Sequence, residues 1–145
     1  MVIDSFKSKI IFLDTAPLIY FIEGSSPYKT VLKKLFQANA KGDFLFITSS
    51  ITLLEVLVHP IKLQRMDLVT QYQTILTQSA TLEIMDVTKP IAIKAAELRA
   101  IHNLKTPDSI QLATAFIAGA HFFITNDRGL PAIKNIKLVN LSDLK

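Results

Sequence analysis

Apolar residues are grouped along this chain in two rhythms, and the switch between them marks its elements. Ile10–Leu13 (IIFL), 44–48 (FLFIT) and 122–125 (FFIT) are unbroken runs too short for helices. Continuous hydrophobicity over four or five residues suits strands covered on both faces of a parallel sheet. Residues 82–87 (LEIMDV) alternate instead, which predicts a strand near a sheet edge with Glu83 and Asp86 outward, and 137–141 make a last short strand.

The stretches between these runs carry the helical rhythm. Segment 17–23 reads as a short helix stopped at Gly24. Segment 28–40 reads as a second, with Val31, Leu32, Leu35 and Phe36 at helical spacing and Lys29, Lys33 and Lys34 toward water. A helix over 51–58, capped by Ser49 or Ser50, is interrupted at Pro60, and a longer one follows over 61–78. Thr88 with Pro90 opens a helix over 91–102 whose stripe is Ile91, Ala95, Leu98 and His102. In Thr106-Pro107-Asp108 the threonine is placed as cap, the proline first and the acid second in a helix that Gly119 ends. Strands alternating with helices imply an α/β fold with a mainly parallel sheet and helices on both faces.

Composition narrows the chemistry. At 145 residues the chain fits one domain, 1–145, long enough to bury a real core. Half the residues are hydrophobic and the mean hydropathy is +0.36, which excludes disorder and raises the question of a membrane span. The longest charge-free run, 109–126, contains Ser109, Gln111, Thr114, Gly119 and His121, and reads better as a buried helix, a turn and a strand. The opening MVIDSFKSK lacks the apolar core of a signal peptide, so the expected location is the cytoplasm. With no cysteine, disulfides, zinc-thiolate sites and thiol catalysis are excluded. His59, His102 and His121 are scattered without ligand spacing, so any metal is a hard cation held by carboxylates, such as Mg²⁺ or Mn²⁺. The net charge of +4 accords with a polyanionic partner, although the basic residues form no dense block and a solvated surface looks similar.

Four of the twelve acids stand apart from the polar faces and turns that hold the rest. Asp14 ends the first strand, where open α/β sheets place their ligand crevice. Glu55 is the only charge between Asp43 and Lys62, and Asp108 the only one between Lys105 and Asp127, which itself follows the fourth strand. Each also has a structural reading. Asp14 can cap the next helix, Asp108 can complement a helix dipole, Asp127 can be a turn residue in Asn-Asp-Arg-Gly, and Glu55 can point outward. In a parallel sheet, however, Asp14 and Asp127 emerge at one edge, and the helices bearing Glu55 and Asp108 can reach it. Four carboxylates in one crevice repel each other unless a divalent cation neutralises them, and such a site suits hydrolysis of phosphodiesters.

These residues give the sequence a resemblance to the PIN-domain family, and in particular to the small ribonucleases called VapC toxins. The segments that carry it are LDTAPLIY around Asp14, SSITLLEVLVHP around Glu55, LKTPDSIQLATAFIAGA around Asp108 and FFITNDRGL around Asp127. The resemblance implies a three-layer α/β/α sandwich whose acidic site, Asp14, Glu55, Asp108 and Asp127, binds Mg²⁺ or Mn²⁺ and cleaves RNA. Thr125 matches the family's hydroxyl two residues before the last acid, where it can orient a carboxylate or water. The family often has Asn or Ser where Ala16 stands, so that polar contact is missing here. Arg128 is open between contacting phosphate and pairing with a neighbouring acid. The resemblance also implies a homodimer held inactive by a cognate antitoxin protein.

The leading expectation is therefore a Mg²⁺-dependent endoribonuclease, the toxin of a type II toxin–antitoxin pair. The alternative is a catalytically inert PIN-like module that binds RNA or protein. A phosphotransfer domain fits less well, because no acid pair precedes Asp14 and Asp14-Thr15-Ala16 lacks a second Asp two residues on.

Overall fold

The computed structural model describes residues 2–24 and 26–144. Five strands form one sheet: β1 (Ile10–Leu13), β2 (Leu45–Ser49), β3 (Leu82–Met85), β4 (Phe122–Thr125) and β5 (Lys137–Asn140). Their order is β3-β2-β1-β4-β5 and every pairing is parallel. The three unbroken apolar runs are the central strands β1, β2 and β4, while the alternating segment is edge strand β3, with Glu83 exposed.

Successive strand residues point to opposite faces, so each central strand feeds two cores. Ile11, Leu13, Phe46 and Ile124 join a core with α1 (Thr15–Glu23), α2 (Lys29–Ala40), α3 (Ser50–Lys62) and α4 (Met66–Gln78). Phe12, Ile47 and Phe123 face α5 (Lys89–His102) and α6 (Thr106–Ile117) on the other side. There the Phe12 and Phe123 rings stack at 4.7 Å, only 6° from parallel. The result is the expected three-layer α/β/α arrangement. Among the described residues no helix is long and apolar enough to cross a membrane.

Several boundaries differ from the sequence reading. Pro60 does not interrupt its helix: α3 continues through it to Lys62, because the missing N–H and the ring affect the turn before a proline rather than the residues after it. The break comes at residues 63–65, where Gln64 adopts a left-handed φ of 56° and Arg65 N bonds Pro60 O. Helix α1 starts at Thr15, two residues earlier than Pro17, since Asp14 itself is the cap. Helix α6 is capped by Lys105, which makes Thr106, Pro107 and Asp108 its first three residues; either of the first two positions has a free N–H, so Pro107 fits both registers. Ile91, Ala95 and Leu98 are buried as expected, but His102 is exposed where α5 ends and Asn103 turns away with a φ of 53°.

Candidate metal-dependent active site

The sheet register builds the centre of the site. Leu13 pairs with Ile124, so the next residues, Asp14 and Thr125, fall side by side at the carboxyl ends of β1 and β4. The ladder runs one bond further, from Asp14 N to Ile124 O at 3.0 Å, and Thr125 Oγ1 donates to Asp14 Oδ2 at 2.7 Å. These two strands flank the point where the connections diverge, β1 toward β2 and β4 toward β5. Open α/β sheets form their crevices at such a point.

Asp14 accepts only. Its Oδ1 takes the Thr15 N–H at 2.9 Å, which makes it the cap of α1, and lies 3.4 Å from Gln111 Nε2. Both readings of this acid, cap and crevice residue, thus hold together. Burial pushes its carboxyl above the ordinary 3.8; bonds from Thr125, Thr15 and Gln111 pull it back, and the charge of Glu55 adds to the rise.

The other acids come from three elements. Glu55 lies on α3, exposed, with Oε1 accepting from Thr15 Oγ1 at 2.7 Å. Asp108 sits in the first turn of α6, partly buried; burial first, then the charges of Asp127 and Asp14, raise its carboxyl, against the pull of Lys105. Asp127 follows β4 in a turn where its Oδ1 accepts from Gly129 N at 2.8 Å and its own N–H donates to Thr125 Oγ1 at 3.0 Å. A side chain on Gly129 would stand 3.1 Å from that same carboxylate oxygen, so the turn is tight as well as polar.

The four predicted acids therefore form a run of like charges around one edge, Glu55 felt by Asp14, Asp14 by Asp108, and Asp127 by Asp108. Among the described residues none of the four is in an ion pair, and no group of three or more acids or histidines is closed tightly enough to hold an ion directly. An all-carboxylate donor set nevertheless fits Mg²⁺ or Mn²⁺, which bind oxygen and, for Mg²⁺, keep several waters between metal and protein. Arg128 pairs with Ser142 and lies 3.9 Å from Asp143, so it turns to a neighbouring acid.

The edge is shallow. A depression of about 150 Å³ is lined by Thr125, Asp127, Arg128, Asn140 and Asp143, among others. Larger grooves lie away from the acids, about 430 Å³ between α1 and α2 and about 500 Å³ between α5 and α6.

A model of the PIN domain matches residues 11–136 of the chain. The chain belongs to the PIN-domain family. Among solved structures the PIN fold here is similar to DNA-bound VapBC from Salmonella typhimurium, with 21% identity and a TM-score of 0.72 over 92% of this chain and 98% of that one. VapBC2 from Rickettsia felis, bound to a DNA fragment from its promoter, matches with 21% identity and a TM-score of 0.70 over 90% and 98%. VapC20 of Mycobacterium tuberculosis, a sarcin-ricin loop cleaving toxin, has 17% identity and a TM-score of 0.64 over 78% and 86%. At these identities the likeness speaks to the fold. No curated protein matches the sequence.

Beneath the acids of this PIN domain lies a buried polar layer that sequence reasoning passed over. Thr48 Oγ1 is 2.8 Å from both Leu13 O and Thr52 Oγ1. A hydroxyl has one proton and a carbonyl only accepts, so that proton goes to Leu13 O and Thr52 supplies the proton of the other contact. Thr52 in turn accepts from Gln111 Nε2 at 2.7 Å, while Ser49, the cap of α3, donates to Gln111 Oε1. Four hydroxyl residues in 48–52, where an apolar strand passes into a helix, were the available signal.

Proposed function

We propose that this chain is a Mg²⁺- or Mn²⁺-dependent endoribonuclease that hydrolyses RNA phosphodiester bonds, and the toxin of a type II toxin–antitoxin pair. The observation that carries the reading is Asp14, a half-buried carboxylate held by donors on three sides, beside Glu55 and Asp108, with no cation paired to it among the described residues. Such an arrangement stabilises an anion while leaving its charge unmet, which is what a cation-binding centre requires.

Asp14, Glu55, Asp108 and Asp127 would hold the ion. When bound, it supplies a water of lowered pKa and neutralises charge on the phosphoryl oxygens. The chain's own groups orient that site: Thr125 fixes Asp14 Oδ2 and the Asp127 backbone, and Thr15 fixes Glu55. The net positive charge favours encounter with a polyanion. The VapBC complexes among the structural neighbours support a cognate antitoxin partner, and the expected assembly is a homodimer in the cytoplasm.

Purified chain, stripped of any co-purifying partner, is expected to cleave RNA with Mg²⁺ or Mn²⁺ and to stop with EDTA. Cleavage that survives Asp14→Asn or Asp108→Asn refutes the assignment. A second reading is an inert PIN-like module that binds RNA or protein, since the family match speaks to the fold and the family and not to catalysis. Calorimetry separates the two, since an inert module gives no Mg²⁺- or Mn²⁺-dependent heat.

A further inference from the structure

Gln111 lies on α6, three residues after Asp108, and is 3% exposed. A glutamine so deep in a core needs partners for one acceptor and two donors. It finds them on other elements. Oε1 accepts from Ser49 at the start of α3, Nε2 donates to Thr52 within α3 at 2.7 Å, and Nε2 also faces Asp14 Oδ1 at 3.4 Å. The orientation of the amide follows from chemistry. Reversed, its oxygen would meet the Asp14 carboxylate, two acceptors with no proton between them.

The spacing of its partners gives this amide more than a packing role. Thr52 precedes Glu55 by three residues on α3, as Asp108 precedes Gln111 by three on α6, and residues so spaced share a helix face. One neutral side chain therefore ties the helix of Glu55, the helix of Asp108 and the strand end of Asp14. A charged residue there would add to the repulsion, and an apolar one would leave the buried Ser49 hydroxyl proton without its acceptor and take one of three donors from Asp14.

We propose that Gln111 is a positioning residue: its buried amide sets the mutual spacing of Asp14, Glu55 and Asp108 so that they share one divalent cation. This rests on the nuclease reading, and the test separates the two. Mn²⁺ affinity is measured by calorimetry, RNA cleavage as kcat and KM, and stability as Tm, for wild type, Gln111→Leu, the double variant Ser49→Gly with Gln111→Leu, and Thr114→Val. Losses of an outer-shell partner run to about 10–100-fold in metal affinity or activity, so Gln111→Leu should weaken Mn²⁺ and lower kcat by that factor with KM little changed. The double variant removes the stranded Ser49 hydroxyl while placing at the α3 cap a residue that caps tolerate, and should regain Tm without regaining Mn²⁺ affinity. It also serves if the single variant does not fold. Thr114, buried on the same helix and donating to Ile110 O at 2.7 Å, is the control: its change to Val should lower Tm and leave Mn²⁺ affinity unchanged.

Wild-type affinity and kcat in folded Gln111→Leu, or their recovery together with Tm in the double variant, overturns the positioning role and leaves the nuclease reading intact. A wild-type chain that neither binds Mn²⁺ nor cleaves RNA overturns both.

Discussion

Replacing Thr125 by Val keeps the shape of the side chain and removes one hydroxyl, which makes it a clean probe of the Asp14 carboxylate. That hydroxyl donates to Asp14 Oδ2 at 2.7 Å and accepts from Asp127 N at 3.0 Å. A hydrogen bond to a charged group contributes about 1.5–3 kcal/mol, and because Asp14 is partly exposed the lower end applies. Asp127 is exposed, so water can replace the second bond at little cost. A loss near 1.5 kcal/mol corresponds to a Tm lower by about 3–6 °C for a chain of this length. The hydroxyl pulls the Asp14 pKa down, so its removal raises it further. The bond therefore stabilises most where Asp14 is ionised, and the deficit should shrink as pH falls through its raised pKa toward 3.8. Thermal melts in EDTA at neutral pH and near pH 4 measure this, and cleavage of RNA with Mn²⁺ measures the functional side, where a loss of about 10–100-fold is expected. Thr125→Ser should restore both. A valine variant with wild-type Tm and cleavage at neutral pH, or one whose deficit does not change with pH, refutes the reasoning.

Asp14→Asn and Asp108→Asn should each raise the Tm of the metal-free protein at neutral pH while abolishing cleavage. A raised folded pKa means that ionising the group costs stability as pH climbs from 3.8 through that pKa, so the gain should shrink as pH falls through the raised pKa toward 3.8. Adding Mg²⁺ or Mn²⁺ to the wild type should raise Tm, by the equivalent of about 2.7 kcal/mol at a hundredfold excess over Kd. The rise should reverse with EDTA and be absent from Asp14→Asn; scanning calorimetry checks each point.

Strand identity was legible because burial on both faces of a parallel sheet leaves an unbroken apolar run, as in IIFL and FFIT. That Asp14 and Asp127 leave the sheet at one edge was legible for a related reason: parallel strands all end at the same edge, while the adjacency of β1 and β4 is visible only in the sheet order. Helix boundaries were less so. Pro60 looks like an interruption in one dimension, yet a proline in the last turns of a helix gives up a single bond, and its ring is buried here. Thr106 has the chemistry of a cap, but Lys105 holds that position without a side-chain bond. The buried layer of Thr48, Ser49, Thr52 and Gln111 stayed hidden because each residue has a common local use, and only contacts between residues 62 or 59 apart reveal the shared one.

The same placement explains why the site is costly to the empty protein. Asp14 is fixed by a ladder bond to β4 and by donors from α1, α6 and β4, so it cannot relieve its charge by swinging outward. Asp108 is fixed in the first turn of α6, where the helix dipole offsets only part of its burial and its repulsion from Asp14 and Asp127. Glu55 and Asp127 are exposed, so solvent can screen their charge. With two of the four held rigid above their ordinary pKa, relief must come from something that enters: a proton at low pH, or a cation at neutral pH. The two would compete for the same oxygens, so the Mn²⁺ affinity measured by calorimetry is expected to fall as pH falls.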